Sequence, residues 1–378
     1  MSETILPFTL EAARELLVRL VEIPSVTGGE DEACEYLAGA LSSFGWERAG
    51  RDEAGNVTAS RGSGEREILL LGHIDTVPGG PLCRVEGDVL WGRGSVDAKG
   101  PLAAFVLAGG AVAPPIPVAL SDEWKITLVA AVGEEGDSRG ARYVIPRRDP
   151  TACVVGEPSG TEGITVGYRG YLRLRLSARD GGAHRSGDAG PVTACLLAAA
   201  DVLGQVERSE NSSKPVIERP SGAVIAMWGQ EEGERAGLVD IDVRLPLGAD
   251  PGAWARELSG SAEKRGVHVE VVSSMPAHLV KKDDPLVRAL RVAVRDAGLT
   301  PRLLAKGGTA DFNLAAAWDC PMAAYGPGDS KLDHTSEERV DLNEYLKAAF
   351  ILKNALENFI IAYDSRLEGR GYPLRACL

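Results

Sequence analysis

Hydrophobic and polar positions follow two different periods along the chain. Apolar residues recur at helical spacing over residues 9–22 and 30–44, with Thr9 as an N-cap candidate. Nearly continuous apolar runs at 67–72 and 125–133, and a third at 151–156, predict strands that are buried on both faces. Because such strands alternate with helices, we expect an α/β sheet covered by helices on both faces.

The period changes at residue 166, where apolar and charged residues begin to alternate. Residues 166–179 therefore predict one strand with a wet face, in a second sheet. The following pattern predicts the order β-α-β-β-α-β: a helix at 191–206, strands at 222–231 and 236–245, a helix at 251–265 and a strand at 267–273. We predict a ferredoxin-like α+β domain at 166–277, inserted between two parts of a larger domain at 1–165 and 278–378.

Composition and charge narrow the class of protein. The 378 residues are 44% hydrophobic and 25% charged, and the net charge of −13 argues against binding to nucleic acid or anionic membranes. No run approaches the roughly 20 apolar residues of a transmembrane helix. The first residues lack the basic and apolar pattern of a secretion signal. The six cysteines are scattered without a C-x-x-C pair, so we expect free thiols and a cytoplasmic protein.

Acidic and imidazole side chains follow the predicted strands. His73 and Asp75 come directly after the first apolar strand, and Glu134 and Glu135 come after the second. The carboxyl ends of strands in an open α/β sheet line the ligand crevice. Three further residues hold similar positions in glycine-containing turns: Asp97 in GRGSVDAKG, Glu157 in GEPSG and His334 in LDHTSEERV. A mixture of histidine and carboxylate favours a borderline metal such as zinc.

Each of these residues also has a simpler interpretation. His73 and Asp75 can belong to an ordinary surface loop, Asp97 can cap a helix, and Glu134 with Glu135 can form a solvated acidic turn. The segment GRGSVD is similar to the beginning of a dinucleotide-binding loop, but it lacks the third glycine and a clean preceding strand. Several such groups are nevertheless expected to converge on one crevice. In that case Asp97 can bridge two metal ions. His73 and Glu157 can complete one metal site, and Glu135 and His334 the other. Glu134 is then left as the general base.

The ordered motifs resemble those of the dinuclear-zinc amidohydrolase and metallopeptidase family, which includes acetylornithine deacetylases, succinyl-diaminopimelate desuccinylases, aminoacylases and glutamate carboxypeptidases. The resemblance covers nearly the whole chain. It implies a zinc-peptidase-like catalytic domain with a mixed, mostly parallel sheet, and two Zn²⁺ per subunit with Co²⁺ as a substitute. The implied ligands are His73, Asp97, Glu135, Glu157 and His334. Asp75 is implied to orient His73, and Glu134 to act as general acid and base.

The same resemblance gives the inserted domain the roles of lid and dimerisation module, so we expect a homodimer. GGAHRSGDAGP (181–191) matches an element whose histidine reaches the partner's active site, which makes His184 an oxyanion-stabilising candidate. Arg185 stands where a small residue is usual. Three substrate-binding candidates follow: Arg244 in DIDVRLP, and Thr309 and Asp311 in GGTADFN. Their alternatives are a structural salt bridge for the arginine and turn roles for the other two.

Among the branches of the family, the chain is most similar to enzymes that release lysine, and sometimes ornithine, from the C-terminal glutamate side chain of an amino-group carrier protein. These enzymes are also known as acetyl-lysine deacetylases. The resemblance rests on LLGHIDTVPG, GITVGYRG and KGGTADFN. It implies hydrolysis of a linear amide in lysine or arginine biosynthesis.

The carrier protein of that branch is acidic, so we expect a local basic rim on this enzyme. The candidates are Lys281 and Lys282, or four arginines: Arg139, Arg142, Arg147 and Arg148. Four other functions stay open: a deacetylase or desuccinylase of a small N-acyl amino acid, a metallo-carboxypeptidase or dipeptidase, a non-catalytic scaffold, and a nucleotide-binding oxidoreductase.

Overall fold

A computed structural model describes residues 7–112, 123–182 and 189–367. The helices are α1 (Leu10–Glu22), α2 (Asp31–Ala40), α3 (Lys99–Ala111), α4 (Arg139–Val144), α5 (Gly190–Arg208), α6 (Pro251–Glu263), α7 (Pro285–Asp296), α8 (Asp311–Ala315) and α9 (Leu342–Leu367). The strands are β1 (Arg48–Arg51), β2 (Val57–Gly62), β3 (Arg66–His73), β4 (Arg84–Glu86), β5 (Val89–Trp91), β6 (Trp124–Ala131), β7 (Ala152–Val155), β8 (Gly163–Tyr168), β9 (Gly170–Asp180), β10 (Ser221–Gln230), β11 (Arg235–Leu245), β12 (His268–Met275), β13 (His278–Leu279), β14 (Arg302–Lys306), β15 (Met322–Ala324) and β16 (Arg339–Asp341).

The described residues form two compact units. The larger unit takes its residues from Met1–Val166, Val280–Leu304 and Leu314–Leu378. The smaller unit takes its residues from Gly167–Leu279 and Ala305–Asn313.

Four parallel strands form the centre of the sheet in the larger unit, in the order β6, β3, β7, β15. On one side β2 and β1 continue the sheet antiparallel, and on the other side β8 pairs antiparallel with β15. The central strands are buried almost throughout, as continuous apolar runs predict. The predicted mixed α/β sheet is therefore confirmed.

In two helices of the larger unit, single residues are explained by local structure: the N-cap of α1 and a glycine of α3. Thr9 caps α1 as predicted, because its side-chain oxygen accepts the backbone N–H of Ala12 at 3.1 Å. Helix α3 is buried along its whole length and contains three glycines. At Gly110, a Cβ atom would lie 1.8 Å from the carbonyl oxygen of Phe44. Glycine is required there because the backbones approach too closely for any side chain.

The smaller unit contains a four-stranded antiparallel sheet in the order β10-β11-β9-β12. Helices α5 and α6 pack on one face through a core that includes Leu174, Val202, Ile241 and Leu258. In chain order the elements run β9-α5-β10-β11-α6-β12, which is the ferredoxin-like arrangement that the sequence predicts.

The prediction of one strand over residues 166–179 is wrong. Strand β8 ends at Tyr168 and β9 begins at Gly170, so Arg169 separates two strands where one is predicted. Strand β8 is buried at all six positions, whereas β9 alternates. At this residue the backbone N–H donates to the carbonyl oxygen of Lys306 at 3.3 Å, and Nε of the side chain donates to the carbonyl oxygen of Gly307 at 2.7 Å. The alternating pattern of β9 conceals this boundary, because β8 ends with residues that fit the same alternation.

The segment Ala305–Asn313 also differs from the prediction, which gives all residues from 278 onward to the larger domain. It belongs to the smaller unit. The hydroxyl of Thr309 donates to the Arg169 carbonyl at 2.8 Å, and the Asn313 amide donates to the carbonyl of Pro276 at 2.9 Å. These bonds tie the segment to the residue before β9 and to the residue after β12. The turn-like sequence of the segment does not predict them.

Cys34, Cys83, Cys153, Cys195 and Cys320 are free thiols, as expected, and Cys377 lies outside the described residues. In the described part of the chain, every helix is too short or too polar to cross a membrane.

Candidate metal centre

The carboxyl ends of the central parallel strands meet at one edge of the larger unit's sheet. Hydrogen bonds continue past the strand ends: the Ile74 N–H donates to the Ala131 carbonyl at 2.9 Å, and the Gly156 N–H donates to the Leu71 carbonyl at 2.7 Å. The backbone is therefore fixed where the candidate side chains begin. Side chains that leave neighbouring parallel strands here share one crevice.

Asp97 presents its two carboxylate oxygens to two different histidines. Its Oδ1 lies 3.3 Å from Nε2 of His73, and its Oδ2 lies 3.1 Å from Nε2 of His334. The same nitrogen of His334 lies 2.8 Å from Oε1 of Glu135. One ligand atom from each of Asp97, Glu135 and His334 falls within 4.8 Å of the others. A carboxylate placed between two imidazoles in this way suits a bridge between two cations.

The charges of this cluster demand a positive partner. The carboxylates of Asp97 and Glu135 raise the pKa of His334 to about 10. Burial raises the pKa of Asp97, but the hydrogen bonds from His334 and His73 outweigh it and hold this pKa well below its usual range. A proton on the histidine or a divalent cation can supply the positive charge. Nitrogen and oxygen donors in this combination fit a zinc-like metal.

Asp75 organises this edge of the sheet with both its main chain and its side chain. Nδ1 of His73 lies 3.1 Å from the Asp75 carbonyl oxygen, which can only accept, so Nε2 is the ring nitrogen that could bind a metal. The fully buried Asp75 carboxylate accepts the backbone N–H groups of Glu134 at 3.0 Å and Glu135 at 3.1 Å. It also accepts the Thr27 hydroxyl at 2.7 Å. The sequence suggests only the contact with the histidine.

Glu134 and Glu157 stand at neighbouring strand ends. Glu134 precedes Glu135 in the turn after β6. Burial alone would lower the pKa of His73, but its hydrogen bonds with Asp75 and Asp97, together with the charge of Glu134, raise this pKa well above its usual value. Glu157 is 7% exposed and lies two residues beyond the end of β7, the parallel neighbour of β3. His184 lies outside the described residues.

Glu338 is a buried carboxylate that the sequence analysis did not single out. Its Oε1 accepts three backbone N–H groups: Gly94 at 2.9 Å, Val96 at 3.1 Å and Asp97 at 3.1 Å. Its Oε2 accepts the guanidinium of Arg93. Glu338 therefore fixes the loop that presents Asp97. Its signal in the sequence is an acidic pair, and the pattern does not tell which of Glu337 and Glu338 is buried.

Lys99 anchors the other end of the same loop. It is 1% exposed, and its Nζ donates to the carbonyl oxygens of Leu20 and Ile23, each at 2.7 Å. Burial lowers the pKa of Lys99 to about 8. These two carbonyls lie at the end of α1, where backbone acceptors lack helical partners. Lys99 thus joins the beginning of α3 to the end of α1.

The substrate-binding candidates lie in the smaller unit. Nε of Arg244 lies 2.8 Å from Oδ2 of Asp242, and its guanidinium also donates to the Thr309 hydroxyl at 3.2 Å. Since 33% of the Arg244 side chain is exposed, part of its guanidinium can meet a ligand. Asp311 is 2% exposed and begins helix α8. The structure therefore joins Arg244 to Thr309 and buries Asp311.

Comparison with known proteins agrees with this architecture. Residues 69–358 match the model of Peptidase family M20/M25/M40. The chain belongs to this family. The LysW-lysine hydrolase of Deinococcus radiodurans is 37% identical over 358 residues, which cover 93% of this chain and 98% of that protein. The LysW-lysine/LysW-ornithine hydrolase of Sulfurisphaera tokodaii is 28% identical, over 92% of this chain and 96% of that protein.

Solved structures of the M20 family share the fold. The M20 family metallo-carboxypeptidase Sso-CP2 from Sulfolobus solfataricus has a TM-score of 0.75 and 16% identity, over 92% of this chain and 99% of that chain. Aminopeptidase PepT from Bacillus cereus has a TM-score of 0.72 and 19% identity, over 94% and 100%. Membership of this family makes the protein a hydrolase of amide bonds that uses a divalent metal.

Proposed function

We propose that this protein hydrolyses the amide that joins lysine or ornithine to the carrier protein LysW. The observation that carries this proposal is the 37% identity, over nearly the full length of both chains, with a protein named LysW-lysine hydrolase. The metal centre supports it, because Asp97, Glu135 and His334 are arranged for metal-assisted hydrolysis.

We infer that the centre takes two Zn²⁺ ions, with Co²⁺ as a substitute. Asp97 would lie between the ions. His73 and Glu157 would complete one site, and Glu135 and His334 the other. When bound, the ions lower the pKa of a water molecule and polarise the amide carbonyl.

The remaining chemistry belongs to side chains of the protein. We assign Glu134 as the general base that takes a proton from the attacking water, and as the acid that returns it to the leaving amine. Asp75 supports this role because it holds the backbone of Glu134. We assign His184 to the developing oxyanion and Arg244 to the carboxylate of the released amino acid, beside Thr309 and Asp311.

We further propose a homodimer that forms through the smaller unit. Among the described residues, strand β10 pairs with β11 alone and is an edge strand. It exposes four large apolar side chains: Val224 at 43%, Ile225 at 50%, Met227 at 59% and Trp228 at 56%. Exposed apolar edges are normally covered, and a second copy of the same strand is a self-complementary cover. In such a dimer, His184 would act in the partner's active site.

The carrier is proposed to dock on Lys281 and Lys282. Both side chains are exposed. The alternative arginines already have acceptors within the protein: Arg139 on Glu30, Arg142 on the Asp137 carbonyl, Arg147 on the Tyr143 carbonyl and Arg148 on Glu67. The two lysines are therefore better placed to meet acidic groups of a carrier. The free thiols suit a cytoplasmic setting for this reaction.

A substrate panel with the zinc-loaded protein tests this function. The panel contains carrier-linked lysine and ornithine, acetyl-lysine, acetylornithine, succinyl-diaminopimelate and dipeptides, with amine release as the readout. We expect turnover of the carrier-linked forms and its loss when a chelator removes the metal. Turnover of dipeptides alone would instead favour a peptidase, and preference for acetylornithine would favour a small-molecule deacylase.

A further inference from the structure

The turn that carries Glu134 and Glu135 is closed at its base by one buried side chain. Asn56 is fully buried and lies one residue before β2. Its Oδ1 accepts the backbone N–H of Val132 at 3.0 Å, and its Nδ2 donates to the Gly140 carbonyl oxygen at 3.2 Å. The Gly140 N–H in turn donates to the Val132 carbonyl oxygen at 2.9 Å. These three hydrogen bonds form a ring, which we call the turn clamp.

The partners of Asn56 leave its amide only one orientation. A backbone N–H can only donate and a carbonyl oxygen can only accept, so Oδ1 must face Val132 and Nδ2 must face Gly140. Nδ2 also donates to the Asp52 carboxylate at 2.8 Å. The same carboxylate accepts the backbone N–H of Asn56 at 3.0 Å. Both ends of the amide are therefore used, and the β1–β2 hairpin holds the side chain in place.

Gly140 shows how little space the turn clamp leaves. A Cβ atom at this position would lie 2.3 Å from Oδ1 of Asn56 and 2.6 Å from the backbone nitrogen of Val132. Both distances are too short for any real contact, so the close approach requires a glycine. The clamp therefore holds the two ends of the turn at one fixed separation.

The acidic residues of the same turn are held from elsewhere. The Asp75 carboxylate accepts the backbone N–H groups of Glu134 and Glu135, as described above. Residues 133–139 thus lie between two sets of hydrogen bonds, one at the acidic pair and one at the base. The Asp75 contacts fix the acidic pair, whereas the clamp fixes the direction in which the chain leaves β6 and enters α4.

We propose that Asn56 is a positioning residue for the hydrolysis. This inference rests on the proposed function, in which Glu135 binds a metal ion and Glu134 transfers the proton. Such groups must be held within about 0.5 Å of their working positions by the residues around them. When the clamp is lost, the base of the turn can move and the two carboxylates lose their direction. Asn56 acts through the backbone of this turn and not by contact with the substrate.

Asn56→Ala tests this role with measurements that a purely structural contact would leave unchanged. The variant loses two of the three hydrogen bonds of the clamp. We expect zinc affinity, measured by competition with a chromophoric chelator, to fall roughly 10- to 100-fold. The absorption spectrum of the Co²⁺-loaded protein should change, because it depends on the geometry of the ligands. With γ-glutamyl-lysine, a small substrate in which the α-amine of lysine is acylated, kcat should fall while KM changes little.

Thr127→Val is the matched control. Thr127 lies in the first half of β6, away from the turn, and is 2% exposed. Its hydroxyl donates to the Glu67 carboxylate, so the substitution also removes a buried hydrogen bond and should also lower the melting temperature. Zinc affinity, the Co²⁺ spectrum and kcat should keep their wild-type values. If Asn56→Ala likewise lowers only the melting temperature, the inference is overturned.

Hydrogen exchange in the wild-type protein decides the question if Asn56→Ala does not fold. Coupling is reciprocal, so zinc should suppress opening of the clamp by the same factor by which opening weakens zinc binding. We expect the Val132 and Gly140 N–H groups to exchange roughly 10- to 100-fold more slowly with zinc than without it. The Gly55 N–H, which donates to the Asp52 carbonyl at 3.0 Å, is the control and should change less. No slowing at the clamp, or equal slowing at Gly55, would contradict the coupling.

These measurements separate the inference from the proposed function. Zinc affinity and hydrogen exchange need no substrate, so they test Asn56 even if carrier-linked lysine is not hydrolysed by the wild type. Conversely, a wild type that hydrolyses carrier-linked lysine, together with an Asn56→Ala variant of unchanged zinc affinity and kcat, would remove the role of Asn56 and leave the hydrolase intact.

Discussion

At the residue scale, the geometry of the centre depends on carboxylates outside the proposed set of metal ligands. Asp75 is fully buried, and burial alone would raise its pKa. The contacts with His73, Thr27 and the Glu134 N–H outweigh the effect of burial, and the pKa of Asp75 is lowered. The ionised carboxylate can therefore hold the turn that carries both Glu134 and Glu135. Residues that hold the metal ligands in position are expected to affect metal affinity nearly as much as the ligands themselves.

Glu134→Gln should separate chemistry from metal binding. The amide keeps the size of the side chain but cannot accept a proton, so we expect kcat to fall by about 10²- to 10⁴-fold. Zinc content, measured by elemental analysis, should be unchanged. Glu135→Gln is the matched control in the adjacent position and should lose zinc. Full activity in Glu134→Gln would refute its assignment as general base.

Glu338→Gln should weaken metal binding from a distance. The glutamine amide keeps only one acceptor oxygen, so its NH₂ group must face either the Arg93 guanidinium or the three backbone N–H groups, and the loop with Asp97 loosens. We expect zinc affinity, measured by competition with a chromophoric chelator, to fall by roughly 10- to 100-fold. Glu337→Gln serves as the control because the Glu337 side chain is 65% exposed. A lower melting temperature with unchanged zinc affinity would assign Glu338 a purely structural role.

At the element scale, sequence patterns predict long elements better than short ones. The central strands are recognisable because burial on both faces leaves continuous apolar runs. Strands β4, β5 and β16 have three residues each, too few to show a period, and the sequence analysis does not find them. The strand boundary at Arg169 depends on tertiary contacts, and so does the burial of Glu338. A local sequence pattern cannot predict such contacts.

Gly110→Ala should destabilise the protein through the packing of α3. The added methyl group meets the Phe44 carbonyl, so overpacking should cost about 1–3 kcal/mol. Gly39→Ala in α2 is the matched control, because its Cβ would have no atom within 4 Å. That helix should be stabilised by up to about 1 kcal/mol. Urea denaturation of both variants measures the difference, and equal stabilities would contradict the close approach at Gly110.

At the scale of the whole molecule, the proposed function depends on surfaces that would meet other proteins. The net charge of −13 is unfavourable for an acidic carrier, so docking must use a local cationic patch. The apolar edge of β10 is a different kind of surface. Within the described residues, one side of this strand has no neighbouring strand, and the strand exposes hydrophobic side chains. Sequence alone suggests both surfaces through resemblance, and the exposure of their side chains makes each one testable.

Trp228→Lys should convert a dimer into a monomer. The charge would have to be buried if two β10 strands pair, which is strongly unfavourable. Val272→Lys is the matched control on β12, the opposite edge, where Val272 is 40% exposed. Light scattering after size exclusion gives the mass of each variant. A dimeric Trp228→Lys protein, or a monomeric wild type, would contradict the proposed interface.

Reversing charge at Lys281 and Lys282 should weaken carrier docking. For Lys281→Glu with Lys282→Glu, we expect KM for carrier-linked lysine to rise roughly 3- to 30-fold, because two exposed ion pairs are lost. The effect should shrink at high salt. Turnover of γ-glutamyl-lysine should not change. Lys264→Glu, at another exposed lysine, is the control, and an equal effect there would indicate net charge rather than a docking site.

In the proposed function, this metal centre releases lysine from a carrier protein. Its most direct test is the ratio of kcat/KM for carrier-linked lysine to kcat/KM for acetyl-lysine, measured with one preparation of zinc-loaded protein. We predict a ratio of roughly 100 or more, because contacts with the carrier and its terminal glutamate add to those with lysine. A ratio at or below one would contradict the account and identify a deacetylase of small molecules.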